Sequence, residues 1–176
     1  MTAEKQNKML LKLAKLSTPM IGIEPPITVL YRKDYRQIFG DFVEVKLVQE
    51  FLVDYLSQKD HAEKTELKDK FYLLSHCMEK TAVPNAPSLW QKVFKHFGLG
   101  VEIVPTGCCG MSGAFGHLAK QVALSEKIYD QSWRVQIDGI AEKDHVMATG
   151  FSCRTQVDRF SKVSALHPIS VLNQSL

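Results

Sequence analysis

Short apolar runs that alternate with helix-length amphipathic segments are the feature that most limits what this chain can form. From residue 71 onward the alternation is regular. The patterns predict strands over 71–74, 101–104, 145–148 and 163–166, and helices over 87–97, 117–131 and 152–160, with a closing helical turn over 168–172. Strands this short and apolar, each followed by a helix, are the signature of βαβ units, whose parallel sheet lies between helical layers. The expected fold is therefore α/β, a three-layer sandwich with a mainly parallel sheet.

The first third of the chain reads differently. Residues 4–16 place Met9, Leu10, Leu13 and Leu16 at helical spacing among lysines, as in a solvent-facing amphipathic helix. A short strand over 20–23 follows, and then Glu24-Pro25-Pro26 opens a second helix over 27–38, because a proline in the first turn removes no hydrogen bond that the helix needs. Val29, Leu30, Ile38 and Phe39 are its expected core contacts. Residues 46–57 continue the helical period through Leu47, Val48, Phe51, Leu52 and Tyr55, and the polar run 58–69 is the one linker-like stretch. With helix, strand, helix, helix and no opening strand of its own, the segment is expected to start partway through a unit, as the C-terminal fragment of a longer chain does.

At 176 residues with 45% hydrophobic and 23% charged content, the chain has ordinary globular composition and enough length for a sizeable core. The net charge of +3 comes from basic residues dispersed among acids, which weighs against nucleic acid as a partner. No apolar run reaches the ~18 residues of a membrane span, and no secretory leader is recognisable at the start. The expected location is cytoplasmic. There, thiols stay reduced, so the four cysteines argue for metal binding or redox chemistry rather than a disulfide framework.

Cys77 follows the first strand of the regular region, Cys108 and Cys109 the second, and Cys153 the third. In an open parallel sheet the strand exits share one carboxyl edge, where such folds build their ligand sites. All four thiols are thus expected to meet on one rim. Thiolates select iron-sulfur clusters or zinc. Around the vicinal pair, Gly107, Gly110, Gly113 and Gly116 leave the backbone free to approach a bound group and to donate amide hydrogen bonds to sulfur. Three other readings stay open: a tetrahedral zinc site, a vicinal disulfide between Cys108 and Cys109, and free buried thiols.

In the order LLSHCMEKT, GCCGMSGAFGH, ATGFSCRTQ and HPISVL, the chain resembles the second CCG-type cysteine-rich domain of iron-sulfur subunits and long flavin-linked oxidases. These include heterodisulfide reductase, glycerol-3-phosphate and glycolate oxidase subunits, and D-lactate or D-2-hydroxyglutarate dehydrogenases. The resemblance places the CCG-type domain over 70–176. Upstream, PMIGIEPPITVLYRKDY resembles the second half of the preceding repeat, over 1–60, with Pro25 or Pro26 where a cysteine would stand. It implies an iron-sulfur cluster, [4Fe-4S], held by Cys77, Cys108, Cys109 and Cys153. The cluster would relay electrons from FAD to a downstream acceptor. FAD and ferredoxin-like parts would lie upstream, in other domains or subunits, so this segment alone is expected to turn nothing over. The acceptor would be the route to a peripheral position at the inner membrane. Gly150 stands where the fullest family pattern has a fifth cysteine, which limits the set to four thiolates.

His76 and Lys80 flank Cys77 and resemble the family's HCxxK, with a role in orienting a thiolate or offsetting cluster charge. Gly107 and Gly110 are expected against the bound group, and Arg154, directly after Cys153, beside its negative charge. His117 is a further candidate donor, His167 reads as a helix-entry turn, and Leu89, Trp90, Val93, Phe94 and Phe97 read as core. The alternative for the whole chain is a zinc-binding or metal-free docking module for a flavin domain or a partner subunit.

Overall fold

The computed structural model describes residues 2–16, 18–41, 43–59 and 67–175. Most of the linker-like stretch, 60–66, lies outside the described residues. Helix α1 (Ala3–Ala14) leads to strand β1 (Met20–Gly22) and helix α2 (Pro25–Phe39). Strand β2 (Val45–Leu47) then runs directly into helix α3 (Val48–Ser57). Residues 45–47 were expected to be helical from 46 onward; instead they pair in parallel with β1, Met20 to Val45 and Gly22 to Leu47. Val45 and Leu47 flank Lys46 in a period-2 pattern that suits a short half-buried strand as well as a helix start, and only the β1 partner decides between the two.

The second sheet has the order β4-β3-β5. Its strands are β3 (Lys70–Leu74), β4 (Gly100–Ile103) and β5 (Val146–Ala148). Both pairings to the central β3 are parallel. The expected strand at 163–166 shrinks to a single parallel bridge, Met147 to Leu166, flanked by two backbone hydrogen bonds of 3.0 and 3.2 Å.

Two apolar clusters line opposite faces of this sheet, as the alternation of side chains along each strand requires. Phe71, Leu73 and Met147 face Trp90, Val93 and Phe94 of helix α5 (Ala86–His96), together with Val48 of α3 and Val171 and Leu172 of helix α9 (Pro168–Ser175). Leu74, Val146 and Ala148 face the other way. There they meet Tyr129 of helix α6 (Val122–Tyr129), Trp133 of a π-helical turn over Asp130–Arg134, Ile137 of helix α7 (Val135–Gly139) and Val157 of helix α8 (Phe151–Ser161). Helices thus cover both faces. The expected aromatic core stripe holds, with Trp90, Val93 and Phe94 fully buried.

Other expectations change. The helix placed at 117–131 begins as two 3-10 turns and becomes α-helical only at Val122. A short helix, α4 (Cys77–Ala82), follows β3 where none was foreseen. On α2, Val29 is buried but Ile38 is 66% exposed, because only one side of that helix meets the rest of the chain. Helix α1 is solvent-facing as expected, with Met9 and Leu13 exposed and Leu16 exposed just beyond its end, and it packs through Asn7, whose amide donates to the Asp41 carbonyl.

His167 is buried at the entry to α9, where its Nδ1 accepts the Ile169 amide and its ring meets Trp90 edge to face. Burial, and secondarily the Arg154 guanidinium, lower its pKa from 6.5 to about 4. Between those values the unfolded chain takes up a proton that the native state refuses, so stability falls as pH drops through that window. The expected loss from this residue reaches about 3 kcal/mol. Urea unfolding at pH 7 and pH 4.5 measures it, and His167→Gln is expected to reduce the difference; an unchanged difference would contradict this account.

Candidate functional site

Because β3, β4 and β5 are all parallel, their exits open on one edge, and every cysteine lies there. Cys77 is the first residue of α4, Cys108 and Cys109 follow β4 through an extended loop, and Cys153 sits in the first turn of α8. All four are free thiols; Cys109 and Cys153 are buried, Cys77 is half-buried and Cys108 is exposed. Their thiols lie close enough to influence one another. The buried Cys109 and Cys153 thiols interact with each other, and that interaction pushes Cys153 up and draws Cys109 down to about 7. Burial raises Cys77, and the sulfurs of Cys108 and Cys109 add to that rise.

The polar groups that point at sulfur are mostly backbone amides. Gly110 N–H donates to Cys108 Sγ at 3.4 Å, Met78 N–H supports Cys77, and Met111 N–H supports Cys109. The Ser152 hydroxyl lies within 3.4 Å of His76 Nε2 and works to lower the pKa of both Cys109 and Cys153. Such donors favour the thiolate form and tune thiolate-bound redox centres.

His76 caps α4 through Nδ1, which accepts the Met78 amide at 3.1 Å, and burial holds its pKa down to about 4. It is therefore a neutral ring at physiological pH. It also fills the space beside Gly150: a Cβ there would stand 2.3 Å from His76 Cδ2 and 3.3 Å from Cys153 Sγ. Lys80 is half-buried, its ammonium bonded to the carbonyl and hydroxyl of Thr106, and burial lowers its pKa against the opposing pull of Cys77 and Cys153. It brings a positive charge into the thiol group.

Gly107 is gripped on both sides. Its N–H donates to Ser132 Oγ at 2.6 Å, and its carbonyl accepts from Trp133 Nε1 at 3.1 Å. Gly110 has φ +83°, and a Cβ there would fall 2.3 Å from the Ser125 carbonyl oxygen. Only glycine fits. Arg154 donates to the carbonyls of Ala148 and Thr149 and to Glu24. His117 lies on an exposed 3-10 turn, and none of the contacts that define the thiol group involves it.

Several residues that pattern reading passed over hold this site together. Glu79 is fully buried and accepts from Gln49 Nε2 at 2.5 Å and Thr149 Oγ1 at 2.6 Å, while Thr149 Oγ1 accepts the His76 amide. Burial raises the Glu79 pKa. Gln156 donates to the Cys109 carbonyl and to Ser125 Oγ, and Ser125 donates to the Gly110 carbonyl. Glu79 shares a helical turn with Cys77 and Gln156 shares one with Cys153, which is the one local signal they carry.

Among the described residues, no three His, Cys, Asp or Glu side chains close tightly enough to hold a single metal ion. The donor set itself, four thiols with amide donors and a lysine beside them, suits a thiolate-bound group by its chemistry. These features define a class: a parallel α/β unit with a thiol-lined carboxyl edge. Over almost its whole length the chain is similar to part of several D-2-hydroxyglutarate dehydrogenases. It is 37% identical to that of Haemophilus influenzae over 99% of the chain, and 38% identical to that of Pantoea ananatis over 97%. The enzyme of Escherichia coli is 37% identical over 97%. The chain spans 17–18% of the length of these relatives. No family model and no solved structure matches the chain. No helix among the described residues is long and apolar enough to cross a membrane.

The fit at Gly110 gives a direct test of how the loop is held. Gly110→Ala is expected to lose at least about 2 kcal/mol in urea unfolding, from the positive φ and the collision with backbone. A loss below about 0.5 kcal/mol would mean that the loop is not pinned against Ser125.

Proposed function

We propose that this chain is the iron-sulfur-binding electron-transfer module of an FAD-dependent 2-hydroxyacid dehydrogenase. D-2-hydroxyglutarate is the substrate class, since the relatives bear that enzyme's name. The observation that carries the reading is the gathering of four thiols, with amide donors and Lys80, at one sheet edge. Cys77, Cys108, Cys109 and Cys153 would hold the group, in number suited to [4Fe-4S]. When bound, an iron-sulfur group accepts and passes on single electrons.

The chain's own residues set the conditions for that. Backbone amides of Met78, Gly110 and Met111 stabilise negative charge on sulfur, and Lys80 offsets part of it. The neutral His76 fills space without adding charge. Cys108, the exposed thiol, marks the side open to solvent and to a redox partner. FAD and the substrate site belong to upstream parts outside these residues, and the acceptor to a partner. Residues 1–60 act as a cysteine-free half-repeat that packs against the CCG-type domain over 70–176.

A second reading has its own support. Helix α3 shares the core of the second sheet through Val48, and Gln49 reaches Glu79, so the N-terminal segment is a docked element. Under that reading the thiols bind zinc, or stay free, and the chain serves assembly.

Anaerobic reconstitution with iron and sulfide separates the two. The expected product is brown, with about four irons and four sulfides per chain, and Cys109→Ser loses most of both. A colourless protein carrying one tightly held zinc would overturn the iron-sulfur reading and favour the second.

A further inference from the structure

Helix α8 carries Cys153 in its first turn, yet its N-cap residue is Gly150, which has no side chain to offer. Open helix amides there need an acceptor. It arrives from far away in sequence. Both carboxylate oxygens of Glu24 accept the Phe151 amide, at 2.9 and 3.0 Å, across a separation of 127 residues. The same carboxylate pairs with Arg154 at 3.1 Å, and the guanidinium is held from behind by the carbonyls of Ala148 and Thr149.

The reason Glu24 is free to do this is local. It is itself the N-cap of α2, but the next two residues are Pro25 and Pro26, which have no amide hydrogens, and its side chain makes no capping bond to its own helix. Its backbone carbonyl serves α2, accepting from Thr28 N–H and Thr28 Oγ1. Its carboxylate turns to the opposite element instead. Gly22, two residues earlier, cannot take a side chain, because a Cβ would stand 1.9 Å from Thr28 Oγ1, so the turn that aims Glu24 is tightly packed.

We infer that Glu24 is a positioning residue of the thiol site: it caps α8 in place of Gly150 and, through Arg154, fastens the β5 exit and the Cys153 turn to the N-terminal segment. In its electrostatic consequence this rests on the iron-sulfur reading above; in its mechanical consequence it does not. An exposed ion pair would contribute little. Here the arginine is pre-oriented by two carbonyls, and the carboxylate is shared with a helix amide, so both partners lose less freedom on pairing.

The 176-residue protein provides the test in two arms. In the reduced, metal-free protein, alkylation of each cysteine is followed by peptide mapping. Glu24→Ala is expected to speed reaction at buried Cys153 about five-fold, as loss of a helix cap implies, and to leave Cys77 unchanged. Glu24→Gln keeps one acceptor oxygen for Phe151 and is expected to fall between wild type and Glu24→Ala. In the reconstituted protein, Glu24→Gln is expected to raise the midpoint potential, since a negative charge near the thiolates is lost; a role in folding alone would not move it.

A Cys153 rate in Glu24→Ala within two-fold of wild type would overturn the inference. Should Glu24→Ala not fold, the same comparison is decided on Glu24→Gln. If wild type takes up no iron, the iron-sulfur reading fails, while the alkylation arm still decides the role of Glu24.

Discussion

Everything at the site follows from the pairing of β3 with two parallel neighbours. Leu73 stands opposite Ile103 on one side and Met147 on the other, so three chain segments leave the sheet in the same direction. A parallel sheet must be covered on both faces, and the two apolar clusters do that with fully buried Trp90 and Trp133 on opposite sides. The edge left uncovered by the helical layers is the one where the strands end. The thiols stand there because the loops must pass there.

Loops alone would not hold four cysteines in place, since each brings backbone groups that need partners away from water. The protein meets that need with buried side chains rather than with more sheet. Gln156 and Ser125 hold the carbonyls of Cys109 and Gly110, and Ser132 and Trp133 hold Gly107. Glu79 joins Gln49 to Thr149 and so ties the Cys77 helix to the Cys153 strand exit. A buried carboxylate with a raised pKa is costly unless satisfied, and here two donors satisfy it. The same bonds bring the N-terminal segment into the site. Gln49 and Glu24 both come from the first third of the chain, and each reaches an element that bears a cysteine or borders one.

Much of this was legible beforehand. The apolar runs at 71–74 and 101–104, the aromatic stripe on α5 and the position of each cysteine after a strand all rest on local periodicity, which the folded state preserves. The misreadings share a cause. Residues 45–47 became a strand because β1 was available to pair with them, and 163–166 kept only one bridge because a single contact with β5 formed. Ile38 stayed exposed because amphipathic spacing says that a helix has an apolar side, not that anything covers it.

By itself the sequence determined the alternation of strands and helices and the placement of Cys77, Cys108, Cys109 and Cys153 at strand exits, because both depend on residue spacing within a few turns of chain. Only the tertiary structure decided which polar side chains serve those exits. Glu24 caps α8 from 127 residues away, and Arg154 pairs with that carboxylate. A carboxylate, an amide or a guanidinium has many possible partners and no period, so its choice is made only when the sheet brings distant segments within hydrogen-bonding distance.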